Sequence, residues 1–343
     1  MTSALVLEES SPILQLLERE FSERSLGLLG GGTGEAVPWH LWGPALYGPL
    51  RDFLSRPGKE FRGALVTACY RLAGRKDAPP LELPMAIEAL HAGSLIVDDI
   101  QDESLERRGR PALHRTYGVP TALNAGNWLY FWSLRLIDRA ELPPATRLRA
   151  HHTVTDALLS CHYGQGLDLS VKLSDLEQSE VPGVVRSCSE LKTGSLMGLA
   201  AALGALAGGA SPEFVEAATR FGRTIGVGLQ MLDDLSGLLN ERRAAKGRED
   251  LARGRPTWVW AWLSTRLDDA AFDALVEQGR RVLEGGAPAS LEKRLAALVS
   301  PFGKREAQAE LERAFTTLRA VAGDSPVLSV FARELERLGR SYV

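Results

Sequence analysis

The sequence predicts an all-α protein, and three observations support this. Most of its 343 residues lie in stretches rich in Ala, Leu, Glu and Arg, which are good helix formers. The strict alternation of apolar and polar residues that marks a half-buried strand is nearly absent. Clusters of Gly, Pro and Ser divide the chain into stretches of helical length, and Ser211-Pro212, for example, supplies the cap and first-turn proline of a helix start.

Residues 1–40 differ from the rest of the chain and are predicted to form an N-terminal appendage. Leu5 to Phe21 has the pattern of one amphipathic helix, and the three glycines at 30–32 are typical of a flexible joint. Residues 41–343 are predicted to form one helical domain. Hydrophobic residues make up 45% of the chain, which is enough for a sizeable core.

Composition excludes several classes of protein. A net charge of −3 and a pI of about 6.1 argue against a nucleic-acid partner, which normally needs a basic patch. The longest apolar stretches, Leu191–Ala207 and Thr224–Leu239, contain a lysine and an aspartate pair respectively, so neither is typical of a membrane span. Met1–Glu8 lacks the pattern of a secretory signal, and three scattered cysteines fit a reducing compartment. We therefore expect a cytoplasmic protein.

The segment His91–Asp102 is the most informative in the chain. The helix before its acids is apolar on nearly all sides, which predicts a buried helix ending in Asp98, Asp99 and Asp102. Asp98 and Asp102 are four residues apart and share one face, where like charges repel. A divalent cation would offset that repulsion, and oxygen ligands that bridge to phosphates suit Mg²⁺. Taken alone, three acids also fit a solvated helix end.

A second acid cluster lies far downstream, at Asp233 and Asp234. It again ends an apolar helix, and glycines at 222, 226 and 228 would allow neighbouring helices to approach closely. Alone, this segment fits an ordinary helix end. Together with the first cluster, it predicts facing acids that hold three Mg²⁺ ions and a diphosphate.

Basic residues at four places fit a polyanion site. One guanidinium group can bind two diphosphate oxygens at once. Two adjacent arginines follow the first acid cluster. The four places are Arg107 with Arg108, Lys59 with Arg62, Lys192 with Thr193 at the start of an apolar helix, and the glycine-punctuated loop from Lys246 to Arg255. Taken singly, each is more typical of ordinary surface charge.

These motifs, in this order and spacing, resemble those of the trans-polyprenyl diphosphate synthase family, which includes farnesyl and geranylgeranyl diphosphate synthases. The family's DDxxD motif stands complete at Asp98–Asp102 and its RRG motif at Arg107–Gly109. The resemblance covers roughly residues 45–340. It implies the type I isoprenoid synthase fold, a single large helical bundle around a central active-site cavity, and a homodimer.

The resemblance also implies a reaction. A Mg²⁺-dependent prenyltransferase of this family condenses an allylic diphosphate with isopentenyl diphosphate and releases diphosphate. The released diphosphate is the expected base that accepts the proton lost in the last step. The metal ligands that it implies are Asp98, Asp102 and Asp233, with Asp99 and Asp234 beside them. The substrate-binding residues that it implies are Lys59, Arg62, His91, Arg107, Arg108, Lys192, Thr193, Gln230, Lys246 and Arg255. The subset that it implies in catalysis is Arg107, Lys192, Thr193 and Gln230, while Gln165 and Asp168 match a further polar pair near the metals.

Product length is predicted from the residues before Asp98. By resemblance, the product grows from Asp98 toward the start of the helix, where farnesyl-specific members carry bulky aromatic residues. Gly93 and Ser94 are small here, so we expect a product of geranylgeranyl length or longer. Leu90 and Ile87 lie deeper on roughly the same face and are expected to form the floor.

Four positions depart from the family pattern. Gly237 stands where many members have a third aspartate in the second motif, Glu60 replaces a basic residue, Gly63 replaces a proline, and Arg255 replaces a lysine. These departures leave open a terpene cyclase on the same scaffold, which needs the acid clusters but no isopentenyl diphosphate site. A non-catalytic regulatory subunit of a prenyl synthase is a third alternative, which the complete first motif disfavours.

Overall fold

The computed structural model describes residues 11–22, 37–340 and 342. Within these ranges, the regular secondary structure is helical apart from one two-stranded hairpin, so the all-α prediction is confirmed. Across the same residues, we find no helix with the length and apolar character that a bilayer crossing requires. Backbone contacts separate the chain into two compact units, Met1–Ala64 with Pro79–Pro143 and Leu65–Ala78 with Pro144–Val343.

The first unit is organised around two long helices that pack side by side, α5 (Glu82–Gln101) and α7 (Val119–Arg139). Because the helices approach so closely, a Cβ atom on Gly93 of α5 would lie 2.8 Å from the carbonyl oxygen of Gly126 on α7. The described elements are α1 (Pro12–Glu20), α2 (Trp39–Trp42), a π-helical turn (Gly43–Tyr47), α3 (Gly48–Leu54), the start of α4 (Phe61–Leu72), α5 (Glu82–Gln101), β1 (Glu106–Arg107), β2 (Arg110–Pro111), α6 (Leu113–Tyr117) and α7 (Val119–Arg139).

Helix α1 packs onto the first unit through an apolar face and one buried acid. Leu16 and Leu17 are buried, and the buried Glu20 accepts a hydrogen bond from the Trp132 indole at 3.2 Å and pairs with Arg139 at 2.6 Å. The remainder of the predicted appendage, residues 1–10 and 23–36 with the glycines at 30–32, lies outside the described residues. The boundary at residue 40 stays a prediction.

The second unit is organised around α10 (Ser195–Ala207) and α11 (Pro212–Leu239), which pack against each other. Helix α10 is buried almost throughout, and glycines let α11 approach it, as predicted: a Cβ on Gly222 would lie 2.4 Å from the carbonyl oxygen of Met197. The described elements are α8 (Pro144–Ser170), a 3₁₀ turn (Leu173–Asp175), α9 (Val181–Ser189), a second π-helical turn (Glu190–Gly194), α10 (Ser195–Ala207), α11 (Pro212–Leu239), a second 3₁₀ turn (Glu241–Arg243), α12 (Ala244–Ala252), α13 (Trp258–Ser264), α14 (Asp269–Leu283), α15 (Ala289–Val299), α16 (Gly303–Ala322) and α17 (Pro326–Gly339).

Candidate active site

The first aspartate motif, Asp98–Asp102, lies at the C-terminal end of α5 in the first unit. Asp98 is half-buried, whereas Asp99 is fully buried and Asp102, which caps the helix, is 8% exposed. The guanidinium of Arg107 donates hydrogen bonds to both oxygens of Asp99, and its Nε lies 2.8 Å from Oδ1. Burial raises the pKa of Asp99 although Arg107 opposes that rise. Asp99 therefore holds Arg107 in place.

A small hairpin presents Arg107 and Arg108. Its strands have two residues each, which is too little to be stable alone. The buried Arg56 donates to the carbonyl oxygens of Arg107, at 3.2 Å, and of Pro111, at 2.9 Å, and so ties both strands to the end of α3. Sequence reasoning missed Arg56, because its only signal there is Asp52 four residues earlier.

Three arginines lie close around His91, a residue predicted to bind isopentenyl diphosphate. Burial lowers the pKa of His91 well below its usual value, and the charges of Arg62, Arg108 and Arg107 lower it further. The imidazole is therefore neutral. Cations brought this close together repel one another, and a polyanion would relieve that repulsion. Lys59 lies in the exposed loop just ahead of α4, which carries Arg62.

One half-buried carboxylate in this cluster, Glu88, was also missed. Glu88 accepts a hydrogen bond from the backbone N–H of Gly63 at 2.8 Å, and burial raises the pKa of its carboxyl against the charges of Arg62 and Arg108. A proline at position 63, usual in the resembled family, has no N–H to donate. A usable sequence signal was the spacing of Glu88 and His91, since residues three apart share a helix face.

The residues expected to set product length differ in their surroundings. Ser94 is half-buried, and its hydroxyl donates to the carbonyl oxygen of His91 at 2.9 Å. Leu90 and Ile87 are fully buried in α5. Gly93 is buried against α7, so the close approach of that helix is sufficient to explain its small size.

In the second unit, Lys192 and Thr193 lie in the π-helical turn between α9 and α10. Turns of this kind are frequent at functional sites. Gly164 on α8 lets that helix lie against the turn, because a Cβ there would be 2.5 Å from the backbone nitrogen of Lys192. The Lys192 ammonium donates to Asp168 on α8 at 2.7 Å, and Arg255 lies 3.7 Å from the same carboxylate. Gln165 lies on α8, three residues before Asp168.

A chain of hydrogen bonds joins the turn to the second aspartate motif, Asp233–Gly237, on α11. The Thr193 hydroxyl donates to Gln230 Oε1 at 2.8 Å, and Gln230 Nε2 donates to Asp234 Oδ1 at 2.8 Å. The backbone N–H of Trp258, at the start of α13, donates to the other oxygen of Asp234 at 2.9 Å. Burial raises the pKa of Asp234 to about 7.

Asp233 has a different environment, because two cations bind it. Arg243 and Lys246 each pair with one of its oxygens. Burial opposes the charged form, but these two cations outweigh it and lower the pKa of Asp233. Lys246 was among the predicted residues, whereas Arg243 was not. The guanidinium of Arg243 also lies over the Tyr342 ring, 4.8 Å from its centroid.

The structure explains the missing third aspartate of the second motif. Gly237 is buried against Gly247 of α12, where a Cβ on Gly247 would lie 2.2 Å from the carbonyl oxygen of Gly237. An aspartate at 237 would push α12 away from α11. The close contact holds α12, and with it Lys246, beside Asp233.

The donor set of the two motifs fits magnesium. All the acids offer hard oxygen ligands, and Asp98 and Asp102 are one helical turn apart. Within the ranges that the structure describes, no three His, Cys, Asp or Glu side chains form a ready-made ion site. Magnesium usually takes only one or two carboxylates from a protein and completes its shell with water and substrate phosphates, so the acids suit ions that bind together with a diphosphate.

Comparison with known proteins places this arrangement in a family. A family model described as polyprenyl synthetase matches residues 43–280. The chain is a member of the polyprenyl synthetase family. The resemblance drawn from the DDxxD and RRG motifs is therefore confirmed.

Individual relatives of this chain are named for different activities. A geranylgeranyl pyrophosphate synthase from Penicillium janthinellum is 34% identical over 214 residues, which cover 60% of this chain and 54%, about half, of that protein. A terpene synthase from Matsumurasca onukii is 31% identical over 295 residues, or 84% of this chain and 91% of that protein. The crystal structure of heptaprenyl diphosphate synthase from Staphylococcus aureus superposes with a TM-score of 0.75 over 96% of each chain at 18% identity, which shows the shared all-α type I fold.

Proposed function

We propose that this polyprenyl synthetase is a trans-prenyltransferase that joins an allylic diphosphate to isopentenyl diphosphate and releases diphosphate. The observation that carries the proposal is the pair of arginines, Arg62 and Arg108, whose charges act on the neutral His91. Such a group of cations suits a second diphosphate substrate, beyond the one that the aspartate motifs serve. A cyclase, which acts on one diphosphate, has no need of it.

The proposed roles of the residues follow from their charges and contacts. Arg107, Lys192, Lys246 and Arg255 would bind the allylic diphosphate and stabilise negative charge on its leaving oxygen. The isopentenyl diphosphate would be held by Lys59, Arg62, His91 and Arg108, with its double bond turned toward the allylic carbon. Thr193 and Gln230 would face the carbon that becomes positive.

Magnesium is proposed as the cofactor, held by Asp98, Asp102 and Asp233. Three such ions, when bound, would neutralise the diphosphate and make it a better leaving group. Asp99 and Asp234 are already engaged, by Arg107 and by Gln230 and Trp258 respectively. The carbon–carbon bond then forms, and a proton leaves toward the released diphosphate.

We further propose that the product has geranylgeranyl length or more, because Ser94 is small. Ser94→Phe should shorten the main product by at least one five-carbon unit, as measured by mass spectrometry of the prenyl diphosphates. Ser94→Ala, which stays small, is the matched control. Unchanged product length in the Phe variant would refute the role of this position.

The direct test incubates the purified protein with Mg²⁺, isopentenyl diphosphate and each allylic primer in turn, followed by mass spectrometry of all products. Linear prenyl diphosphates are the expected result. Assembly as a homodimer and a cytoplasmic location belong to the same proposal, and analytical ultracentrifugation tests the first.

A second candidate is a terpene cyclase, favoured by the long alignment with the Matsumurasca onukii terpene synthase. Cyclic hydrocarbons formed from an allylic diphosphate alone, with no use of isopentenyl diphosphate, would establish it. The absence of turnover with every primer would instead favour a regulatory subunit of a prenyl synthase.

A further inference from the structure

Both oxygens of Asp234 accept hydrogen bonds, from Gln230 and from the backbone N–H of Trp258, and this fixes the direction of the chain from Thr193 to Trp258. A carboxylate accepts hydrogen bonds and donates none. The NH₂ group of Gln230 must therefore face Asp234, which turns the amide oxygen of Gln230 toward Thr193. The Thr193 hydroxyl then donates its single proton in a hydrogen bond to Gln230, at an Oγ1–Oε1 distance of 2.8 Å.

The position of Asp234 on α11 separates it from the proposed metal ligand next to it. Successive residues on an α-helix point about 100° apart, so Asp233 and Asp234 do not share a face. Both oxygens of Asp234 already accept hydrogen bonds, from Gln230 and from the backbone of Trp258. Asp233, in contrast, is bound by two cationic side chains, Arg243 and Lys246.

We infer that Asp234 is a positioning residue that sets the polarity of the Gln230–Thr193 pair, so that the lone pairs of the Thr193 hydroxyl, and not its proton, face the allylic carbon. This inference rests on the proposed function of the same site. A fixed dipole with its negative end toward a developing cation lowers the barrier to ionisation without any reorganisation at the moment of reaction. Asp234 acts through two other residues and does not itself touch the substrate.

The decisive variant is Asp234→Asn, which keeps the shape of the side chain. The N–H of Trp258 still requires an acceptor, so the Asn oxygen faces Trp258 and the Asn NH₂ faces Gln230. Gln230 then turns its oxygen toward residue 234 and its NH₂ toward Thr193. Thr193 becomes the acceptor, and its proton is released toward the substrate. We expect kcat to fall about a hundredfold, the size of effect found when one preorganised dipole is lost.

Two measurements separate this role from others. The first is a double-mutant cycle of Asp234→Asn with Thr193→Val: if Asp234 acts through the hydroxyl, the double variant should be no slower than the slower single variant. The second is calorimetric titration of Mg²⁺ in the presence of inorganic diphosphate. Asp234→Asn should leave the dissociation constant within about twofold, whereas the matched variant Asp233→Asn should raise it at least tenfold, or about 1.4 kcal/mol.

The outcomes are distinct. Independent, multiplying losses in the cycle would overturn the inference, as would weakening of Mg²⁺ binding by Asp234→Asn equal to that by Asp233→Asn. If Asp234→Asn does not fold, Gln230→Met breaks the chain one residue further along, and its cycle with Thr193→Val has the same expected result. A wild-type protein inactive with every primer refutes the proposed function, while the metal titration, which needs no turnover, still decides whether Asp234 is a metal ligand.

Discussion

Each aspartate motif begins with two adjacent aspartates on a long helix, but the second aspartate binds a cation in one motif and neutral donors in the other. In the first, the second aspartate of the pair, Asp99, binds a cation, Arg107. In the second, the corresponding residue, Asp234, binds the neutral donors Gln230 and Trp258. Cations instead bind the leading aspartate of the second motif, Asp233.

This difference shows what an adjacent pair of carboxylates does on a helix. Since neighbouring side chains point about 100° apart, only one of the two can face a metal while the other faces the protein. In both motifs the second aspartate is the one turned inward, and each anchors a residue proposed to meet the substrate: Arg107 for the diphosphate and Gln230 for the reacting carbon. We therefore propose that each pair consists of one metal ligand and one anchor.

The largest expected effect concerns the leading aspartates. Asp98→Asn and Asp233→Asn each remove a charged oxygen ligand of the proposed ions, and we expect kcat/KM to fall about a thousandfold, or ~4 kcal/mol of transition-state stabilisation. Steady-state kinetics with saturating Mg²⁺ measures it. Asp324→Asn, at a fully exposed acid, is the control. Wild-type rates in either motif variant would show that its leading aspartate is no ligand.

Arg107→Met should have the next largest effect, on folding. Removing the cation leaves Asp99 buried and uncompensated, at a cost of about 3 kcal/mol in the free energy of unfolding. Burial then raises the pKa of Asp99 further, so the folded state binds a proton more readily than the unfolded state. The loss should therefore be greatest near neutral pH and shrink as the pH falls.

Urea denaturation at several pH values tests this prediction. Asp99→Asn in the Arg107→Met background should recover most of the lost stability, because no buried charge remains. Arg337→Met, which breaks an exposed ion pair, should change stability little. If the double variant were as unstable as Arg107→Met, lost packing and not the buried charge would be the cause.

A smaller effect is expected at Gly93, where α5 lies closest to α7. Gly93→Ala places a Cβ 2.8 Å from the backbone of α7, and we expect a loss of about 2 kcal/mol in the free energy of unfolding. Gly183→Ala, at a helical glycine with open space around its Cβ, should be neutral or slightly stabilising. Equal denaturation midpoints for the two variants would show that α7 moves away easily.

The smallest effect concerns the cations on Asp233. Arg243→Gln removes a competitor for the carboxylate, so Mg²⁺ should bind more tightly in the absence of substrate, by at most about fivefold, or 1 kcal/mol. Calorimetric titration measures this, with the exposed neighbour Arg242→Gln as control. Weaker Mg²⁺ binding in Arg243→Gln would mean that Arg243 orients Asp233 for the ion.

The all-α fold and the two aspartate motifs could be predicted from sequence because both are local. Helix formers, glycine clusters and acids at the ends of apolar stretches are visible in a short window. Arg56 and Arg243 could not be found this way, since Arg56 contacts a segment that is distant in sequence and Arg243 stands in no local pattern. Glu88 could have been found from its spacing of three residues to His91. The role of Gly93 in product length stays a prediction, and the sequence does not show that its closest neighbour is the backbone of α7.

The π-helical turn at Glu190–Gly194 makes the proposed active site sensitive to the length of the chain at that point. A π turn accommodates one more residue than an α turn, so deletion of one residue there would leave a continuous α-helix through α9 and α10. Every residue before the deletion would then rotate by about 100° relative to those after it. Lys192 and Thr193 could not both keep their bonds to Asp168 and Gln230. Homologues that lack the extra residue would need different side chains to do the same chemistry.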